Sequence, residues 1–253
     1  MNWASKRRVV VIAILIIVIF SFVTMLALVF TTKTSTCFDG EQNGVETGID
    51  CGGGCMLVCE NEARPLSVLF AQYLETDGRP DVIAHVANLN KSIDAISVQY
   101  TVEVFTEDGD MFAQHTGFTN IPHESTRAIF IPQVASSAPK GGRAFITIKD
   151  QTFLKAENGP KLFAESFAWE DLATAPTLIV KIRGDENVNL RRIPFTVIIF
   201  DAQNTVLAAS NTVIDSIEVD EKQEIVFTWN KSFSREVVRV DFVFDTPRTY
   251  GER

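Results

Sequence analysis

The chain begins with a long apolar run, Val9–Phe30, that has no charged residue and only two polar side chains, Ser21 and Thr24. As a helix this run would measure about 33 Å, enough to cross a bilayer hydrocarbon core of roughly 30 Å. It is longer than the apolar core of a cleaved signal peptide, and no small-residue cleavage pattern follows it. The pattern predicts a transmembrane signal anchor at 9–30, with a long signal peptide as the alternative.

The charges beside this run predict its orientation. Lys6, Arg7 and Arg8 precede it without an acidic neighbour, and Lys33 alone follows closely. The positive-inside rule then places residues 1–8 in the cytoplasm and the bulk of the chain outside. We therefore expect a single-pass protein of the cell membrane that is mostly extracytoplasmic.

Beyond residue 63 the apolar positions recur with a period of two. Such alternation predicts strands with one buried face. In the strand predicted at 98–105, for example, we expect Val98, Tyr100, Val102 and Val104 to be buried. Turn signals separate the strands, as at Thr106–Asp110 and Asp201–Asn204. The spacing predicts an all-β chain of antiparallel sandwiches, with further strands at 111–120, 125–131, 143–149, 205–214, 222–229 and 237–245.

Part of this pattern occurs twice. Val98–Phe105 recurs as Ile193–Phe200, and Leu69–Gln72 recurs as Leu162–Glu165. Because order and spacing persist, we predict two tandem copies of one domain, at 64–157 and 158–253. The copies differ on one strand face, where Ile198 and Phe200 replace Glu103 and Phe105. This apolar face predicts a domain–domain or partner contact, or a sheet covered by its own loops.

The strand ends Val104-Phe-Thr-Glu-Asp-Gly109 and Ile199-Phe-Asp-Ala-Gln-Asn204 resemble the FxLYD type of domain. Val86-Ala-Asn-Leu-Asn90 matches the strand of that family that ends in a polar Asn turn, whereas the second copy departs there with Ile182-Arg-Gly-Asp185. The resemblance implies two immunoglobulin-like β-sandwiches that serve as extracytoplasmic binding or spacing modules. It implies no catalytic residues.

All four cysteines lie within residues 31–63, at Cys37, Cys51, Cys55 and Cys59. Thiolate zinc sites suit reducing compartments, so disulfides are favoured outside the membrane. A segment this short cannot bury a core of its own, and cross-links must replace one. Of the three connectivities we favour Cys37–Cys55 with Cys51–Cys59.

The stretch from Cys37 to Cys55 resembles the CxDGxxNGxExGxDCGGxC module of secreted and surface-anchored bacterial proteins. The resemblance implies an extracellular disulfide-stabilised element and no reaction. The acidic side chains and glycines also predict a calcium site, because calcium takes six to eight oxygen ligands. The alternative is a solvated acidic loop; the candidate ligands are Asp39, Asn43, Glu46 and Asp50.

Charge and histidine content narrow the function. The chain carries −9, and because its first 30 residues contribute +3, the exported part carries −12. This charge argues against nucleic acid and against binding flat on anionic lipid. The histidines, His85, His115 and His123, all lie in the first copy. His115 and His123 are either neighbours across a hairpin that form a zinc site or surface strand residues; because no third ligand is in view, we favour surface strand residues. No catalytic motif accompanies them.

Three short motifs remain. Arg183-Gly184-Asp185 spells the integrin-binding tripeptide, but we favour a plain turn as its explanation. Asn90 and Asn230 begin identical Asn-Lys-Ser sequons. The sequence therefore predicts a non-catalytic, membrane-anchored binding or assembly protein of the cell envelope. Its partner would be an extracytoplasmic protein or glycan, met at sheet edges or loop ends. The alternatives are an accessory or sensory subunit of a larger membrane complex and a metal-dependent envelope enzyme.

Overall fold

The computed structural model describes residues 3–31, 36–76, 78–139, 141–157, 159–185 and 187–246. These residues form one α-helix, a 3₁₀ turn at Glu60–Glu62 and twelve β-strands. They divide into two compact units, Met1–Cys55 and Met56–Arg253. The chain is therefore mostly β-sheet, as predicted.

Helix α1 runs from Trp3 to Thr31, so it begins before the predicted anchor and includes residues assigned to a cytoplasmic tail. The apolar run within it contains no Gly or Pro, the residues that interrupt helices. Its described side chains are Arg7, Arg8 and Val10–Leu26, and all of them are exposed. Lys33 lies outside the described residues. Within the described residues, no helix is both long enough and apolar enough to span a membrane.

Each copy contributes six strands. The predicted positions agree with the strands, although β6 and β10 continue further than predicted because apolar residues such as Phe153 and Ile217 are still buried near their ends. The strands are β1 (Ser67–Thr76), β2 (Arg79–Asn88), β3 (Ile93–Phe105), β4 (Met111–Ile121), β5 (Ser125–Ile131) and β6 (Arg143–Lys155), then β7 (Phe163–Glu170), β8 (Thr177–Arg183), β9 (Leu190–Phe200), β10 (Val206–Ile217), β11 (Lys222–Thr228) and β12 (Arg239–Phe244).

The two copies have the same strand order. In each copy the first, second and fifth strands form one sheet, and the fourth, third and sixth form the other. The sheets are β1-β2-β5 and β4-β3-β6 in the first copy, and β7-β8-β11 and β10-β9-β12 in the second. All of these pairings are antiparallel. This common order agrees with the duplication found in the sequence.

The cores lie where the alternation predicts them. Val98, Tyr100, Val102 and Val104 of β3 are all buried and pack in the first core. The corresponding residues of β9 pack in the second core together with Phe227 and Trp229. These positions are Ile193, Phe195, Val197 and Ile199.

The two predicted hairpin turns are also equivalent. Gly109 has a φ of 91° and ends the β3–β4 turn, which Thr106 N–H closes by donating to Asp110 O. Asn204 has a φ of 59° in the β9–β10 turn, which Asp201 N–H closes by donating to Thr205 O. Gly and Asn tolerate this left-handed conformation better than other residues.

The sandwiches stack through one sheet each. The outer face of β1-β2-β5 packs against the outer face of β10-β9-β12, and apolar side chains from both sheets form a third core. We call this third core the inter-copy contact. Its buried members are Leu74, Ile83 and Ala128 of the first copy and Ile198, Phe200, Val206 and Ala209 of the second.

The first copy begins earlier than predicted. Met56–Val58 pairs with the end of β6: Val58 N–H donates to Phe153 O at 2.9 Å, and Lys155 N–H donates to Met56 O at 2.9 Å. Val58 is buried in the first core. The division between the compact units therefore falls after Cys55 and not after residue 63.

Candidate interaction sites

The cysteines are oxidised. Cys37 and Cys55 form a disulfide, which confirms the first predicted pair. Cys51 and Cys59 are disulfide-bonded too, and no described cysteine is free, as the second predicted pair requires.

The four candidate calcium ligands have other partners. Asp50 accepts hydrogen bonds from the N–H groups of Asp39 and Gly40, while Asp39 accepts from Glu41 N–H and from the Asn43 amide. Asn43 N–H donates to Glu46. Within the described residues, one group of cysteine and carboxylate side chains brings its ligand atoms close together, and it consists of Cys37, Glu46 and Cys55. Of the four candidate calcium ligands, only Glu46 belongs to this group. The two cysteine sulfurs are joined to each other, and the carboxylates of Asp39 and Asp50 hydrogen-bond the loop. The calcium site at Asp39, Asn43, Glu46 and Asp50 stays a prediction.

One motif glycine is sterically required. Gly53 has a φ of 52°, and a Cβ on it would lie 1.6 Å from Val45 O. We expect Gly53→Ala to open the loop, so that a protease cleaves within 36–55 much faster than in the parent chain. Gly40→Ala is the control, because Gly40 has a φ of 73° but open space around it, and the conformational cost alone is about 1–2 kcal/mol. Equal cleavage of the two variants would contradict this role.

Ile198 and Phe200 were predicted as a domain–domain or partner contact. The structure buries both completely or almost so, at 0% and 1% exposure, in the inter-copy contact. The guanidinium of Arg239 stacks over the Phe200 ring at 3.9 Å. The apolar face is thus occupied by the first copy.

Polar groups also join the copies. Gln72 of β1 donates to Val206 O at 2.9 Å and accepts from Val206 N–H at 3.3 Å. Arg127 of β5, which is 8% exposed, pairs with Asp245 at 2.7 Å. The sequence did not reveal these partners, because each pair is separated by more than 100 residues.

His85 lies at the margin of the inter-copy contact. Its ring stands 4.5 Å from Phe70 and 6.3 Å from Phe200. Its Nε2 is buried and has no hydrogen-bond partner among the described residues. Burial lowers the pKa of His85; nearby Asp241 opposes this shift and nearby Arg239 adds to it. The neutral ring is therefore favoured in the folded chain.

This lowered pKa predicts a dependence of stability on pH. Below the ordinary histidine pKa of about 6.5 the unfolded chain binds a proton that folded His85 resists. The contribution of His85 to the free energy of unfolding is therefore complete above about pH 6.5 and is lost as the pH falls through the folded-state pKa. Denaturant titrations at a series of pH values should show a shallower acid-side slope for His85→Gln than for His115→Gln. Equal slopes would contradict the assignment.

His115 and His123 do not face each other across a hairpin. His115 lies within β4 and His123 lies just beyond its end, so about 25 Å of extended chain separates them. His123 instead bonds the fully buried Asp94, through its ring nitrogen at 2.8 Å and its backbone N–H at 2.7 Å. These contacts fix the β4–β5 turn.

The two sequons differ in accessibility. Asn90 is 5% exposed, and its amide bonds Arg64 O at 2.9 Å and Asn88 Oδ1 at 2.8 Å, while its Oδ1 accepts from Arg64 N–H at 2.8 Å. Asn230 is exposed in the segment between β11 and β12. Asn90 is therefore a structural residue that fastens the segment before β1.

The Arg183-Gly184-Asp185 tripeptide has a related structural role. Asp185 accepts hydrogen bonds from Lys161 N–H at 2.7 Å and Asn187 N–H at 2.8 Å, and these bonds lower its pKa. Lys161 lies just before β7, and Arg64, which bonds Asn90, lies just before β1. Arg183 pairs with Glu165 and Asp220. Asp185 is thus the counterpart of Asn90 in the second copy.

A groove runs along β12. It has a volume of about 780 Å³ and is lined by every residue of β12. Its other walls come from the start of β7 and from the first copy, which contributes Leu69, His85, Thr126 and Ala128. We call it the edge groove. Among the described residues no strand pairs with the side of β12 that faces away from β9.

No protein-family model and no curated protein matches the chain. Solved structures with some likeness include a red sea bream transglutaminase, 12% identical over 73% of this chain and 29% of that chain, with a TM-score of 0.26. A glycosyl hydrolase family 2 member from Bacteroides cellulosilyticus is 14% identical over 66% and 26%, with a TM-score of 0.20. The chain spans less than a third of the length of these proteins.

Proposed function

We propose that this chain is a membrane-anchored, extracytoplasmic binding or assembly protein of the cell envelope, without catalysis of its own. In this proposal α1 is the anchor, the disulfide loop follows it, and two tandem immunoglobulin-like sandwiches form the binding part. The observation that carries the proposal is the helix itself. Its side chains from Val10 to Leu26 are exposed and almost all apolar, and this surface supports a non-aqueous neighbour.

The use of the polar residues supports binding over catalysis. The buried carboxylates of Asp94 and Asp201 stabilise turns: Asp94 bonds His123, and Asp201 bonds Arg235 and the N–H groups of Gln203 and Thr205. Burial opposes ionisation of Asp201, but these hydrogen bonds outweigh it and lower its pKa. Groups held in this way shape the loops that a binding domain presents.

The shared strand order of the two copies supports the immunoglobulin-like assignment and the FxLYD resemblance. The disulfide loop supports an oxidising location, because structural disulfides persist outside the reducing cytosol. Both features agree with the orientation expected from Lys6, Arg7 and Arg8.

The test is membrane association and topology of the full chain in cells. We expect it to remain in the membrane pellet after an alkaline carbonate wash, and an external protease should digest it beyond Thr31. The variant Ile16→Arg/Phe20→Arg should leave the pellet, since each arginine at a helix centre costs about 2.5–3.5 kcal/mol of insertion free energy. Recovery of the parent chain in the wash, or protection of the sandwiches from protease, would overturn the proposal.

A further inference from the structure

The second sequon lies on an exposed loop of the second copy. Its tripeptide, Asn230-Lys-Ser232, begins two residues after the end of β11 and belongs to no strand, and all three of its residues are exposed. Enzymes that attach sugars to asparagine act on Asn-x-Ser or Asn-x-Thr, without proline at the middle position, on the surface of exported chains. This tripeptide therefore meets both the sequence requirement and the surface requirement.

The residues on either side fix the loop to the sandwich. Trp229 is 5% exposed in the second core, and its N–H donates to Pro176 O at 2.9 Å. Phe233 packs against the same core, with its ring 5.4 Å from the Trp229 ring and 5.8 Å from the Trp169 ring. Both ends of the tripeptide are thus held by buried aromatic contacts, and Asn230 is accessible in the folded chain.

The first sequon has the same three residues in the opposite setting. The nitrogen that would carry a sugar, Asn90 Nδ2, donates to Arg64 O at 2.9 Å and to Asn88 Oδ1 at 2.8 Å. A sugar would replace one hydrogen of this nitrogen and break at least one of the two bonds, at a residue that is 5% exposed. The two tripeptides differ only in their place in the fold, so each is the control for the other.

We propose that Asn230 is an N-glycosylation site of this chain and that Asn90 is not. The inference rests on the proposed extracytoplasmic location and adds a covalent modification to it. The co-reactant is a lipid-linked oligosaccharide, used by a membrane-bound transferase. Asn230 Nδ2 loses one proton and forms a bond to the anomeric carbon of the first sugar. The bond from that carbon to the phosphate of the donor breaks, and the lipid phosphate leaves with the electron pair.

The first test uses the folded full chain in detergent micelles. A purified oligosaccharyltransferase and a lipid-linked oligosaccharide are added, and the modified peptides are quantified by mass spectrometry after proteolysis. We expect the Asn230 site to be modified at least tenfold faster than the Asn90 site. Two synthetic peptides that span the tripeptides are the control, because they carry both sequons without the fold. Equal rates at the two sites of the folded chain, or no sugar on Asn230, would overturn the proposal.

The second test follows the full chain in cells that N-glycosylate exported proteins. Ser232→Ala removes the hydroxyl that the sequon requires at its third position, and it should abolish the added mass. Ser92→Ala makes the same change in the first sequon, also at an exposed serine, and should leave the added mass unchanged. A chain that external protease digests but that carries no sugar on Asn230 overturns this inference alone. A chain protected from that protease overturns the proposed function and this inference with it.

Discussion

Replacing Phe200 with alanine is expected to lower the free energy of unfolding by about 4 kcal/mol, in the range for buried Phe→Ala changes. Phe200 is 1% exposed, packs among the apolar side chains of both copies and lies beneath the Arg239 guanidinium. Its removal leaves a cavity between two sheets that cannot collapse independently. Denaturant unfolding followed by tryptophan fluorescence measures the effect, because Trp169 and Trp229 pack together in the second copy.

Phe105 provides the matched control, since it occupies the same position in the first copy. It is only partly buried, and its ring contacts Phe145 at 5.7 Å on an outer sheet. Phe105→Ala should cost less than half as much as Phe200→Ala. If the two substitutions cost the same, the second copy does not use this face against the first.

Replacing Asn90 with alanine is the second large effect, at about 3 kcal/mol. The change leaves the Arg64 N–H and C=O without the partner they have in the folded chain, and the Asn88 Oδ1 loses one of two donors and keeps Asn90 N–H. Each buried polar group left unsatisfied costs about 1–3 kcal/mol. At about 2–4 °C per kcal/mol for a protein of this size, the melting temperature should fall by roughly 6–12 °C. Differential scanning calorimetry measures this shift.

Asn230→Ala removes asparagine from an identical tripeptide at an exposed position. Surface substitutions of this kind usually change stability by less than about 0.5 kcal/mol. A shift of the melting temperature as large as that of Asn90→Ala would show that accessibility does not separate the two sites.

Local patterns predicted the strands because each sheet has one face in a core. The apolar residues at alternate positions from Val98 to Val104 are separated by polar residues, and the structure buries these apolar residues in a core. The turns were predictable for the same local reason, since Gly109 and Asn204 supply the conformation that their hairpins need. The start of the first copy was not, because the pairing of Met56–Val58 with β6 depends on residues almost 100 positions away.

The site was less predictable, because burial between copies is a tertiary property. Ile83 alternates with core residues of β2, a pattern that predicts an outer face, yet it is fully buried against the second copy. The carboxylates of Asp39 and Asp50 accept hydrogen bonds from backbone N–H groups of the same loop. The spacing of the carboxylates predicts calcium ligands but does not reveal these hydrogen bonds.

The central claim is that the second copy uses its apolar outer face against the first. The direct measurement is a nuclear Overhauser spectrum of the full chain in detergent micelles. It should show cross-peaks between the Gln72 side-chain amide and the backbone amide proton of Val206, whose atoms are joined by hydrogen bonds of 2.9 and 3.3 Å. Absence of these cross-peaks, with contacts inside each sandwich intact, would contradict the claim.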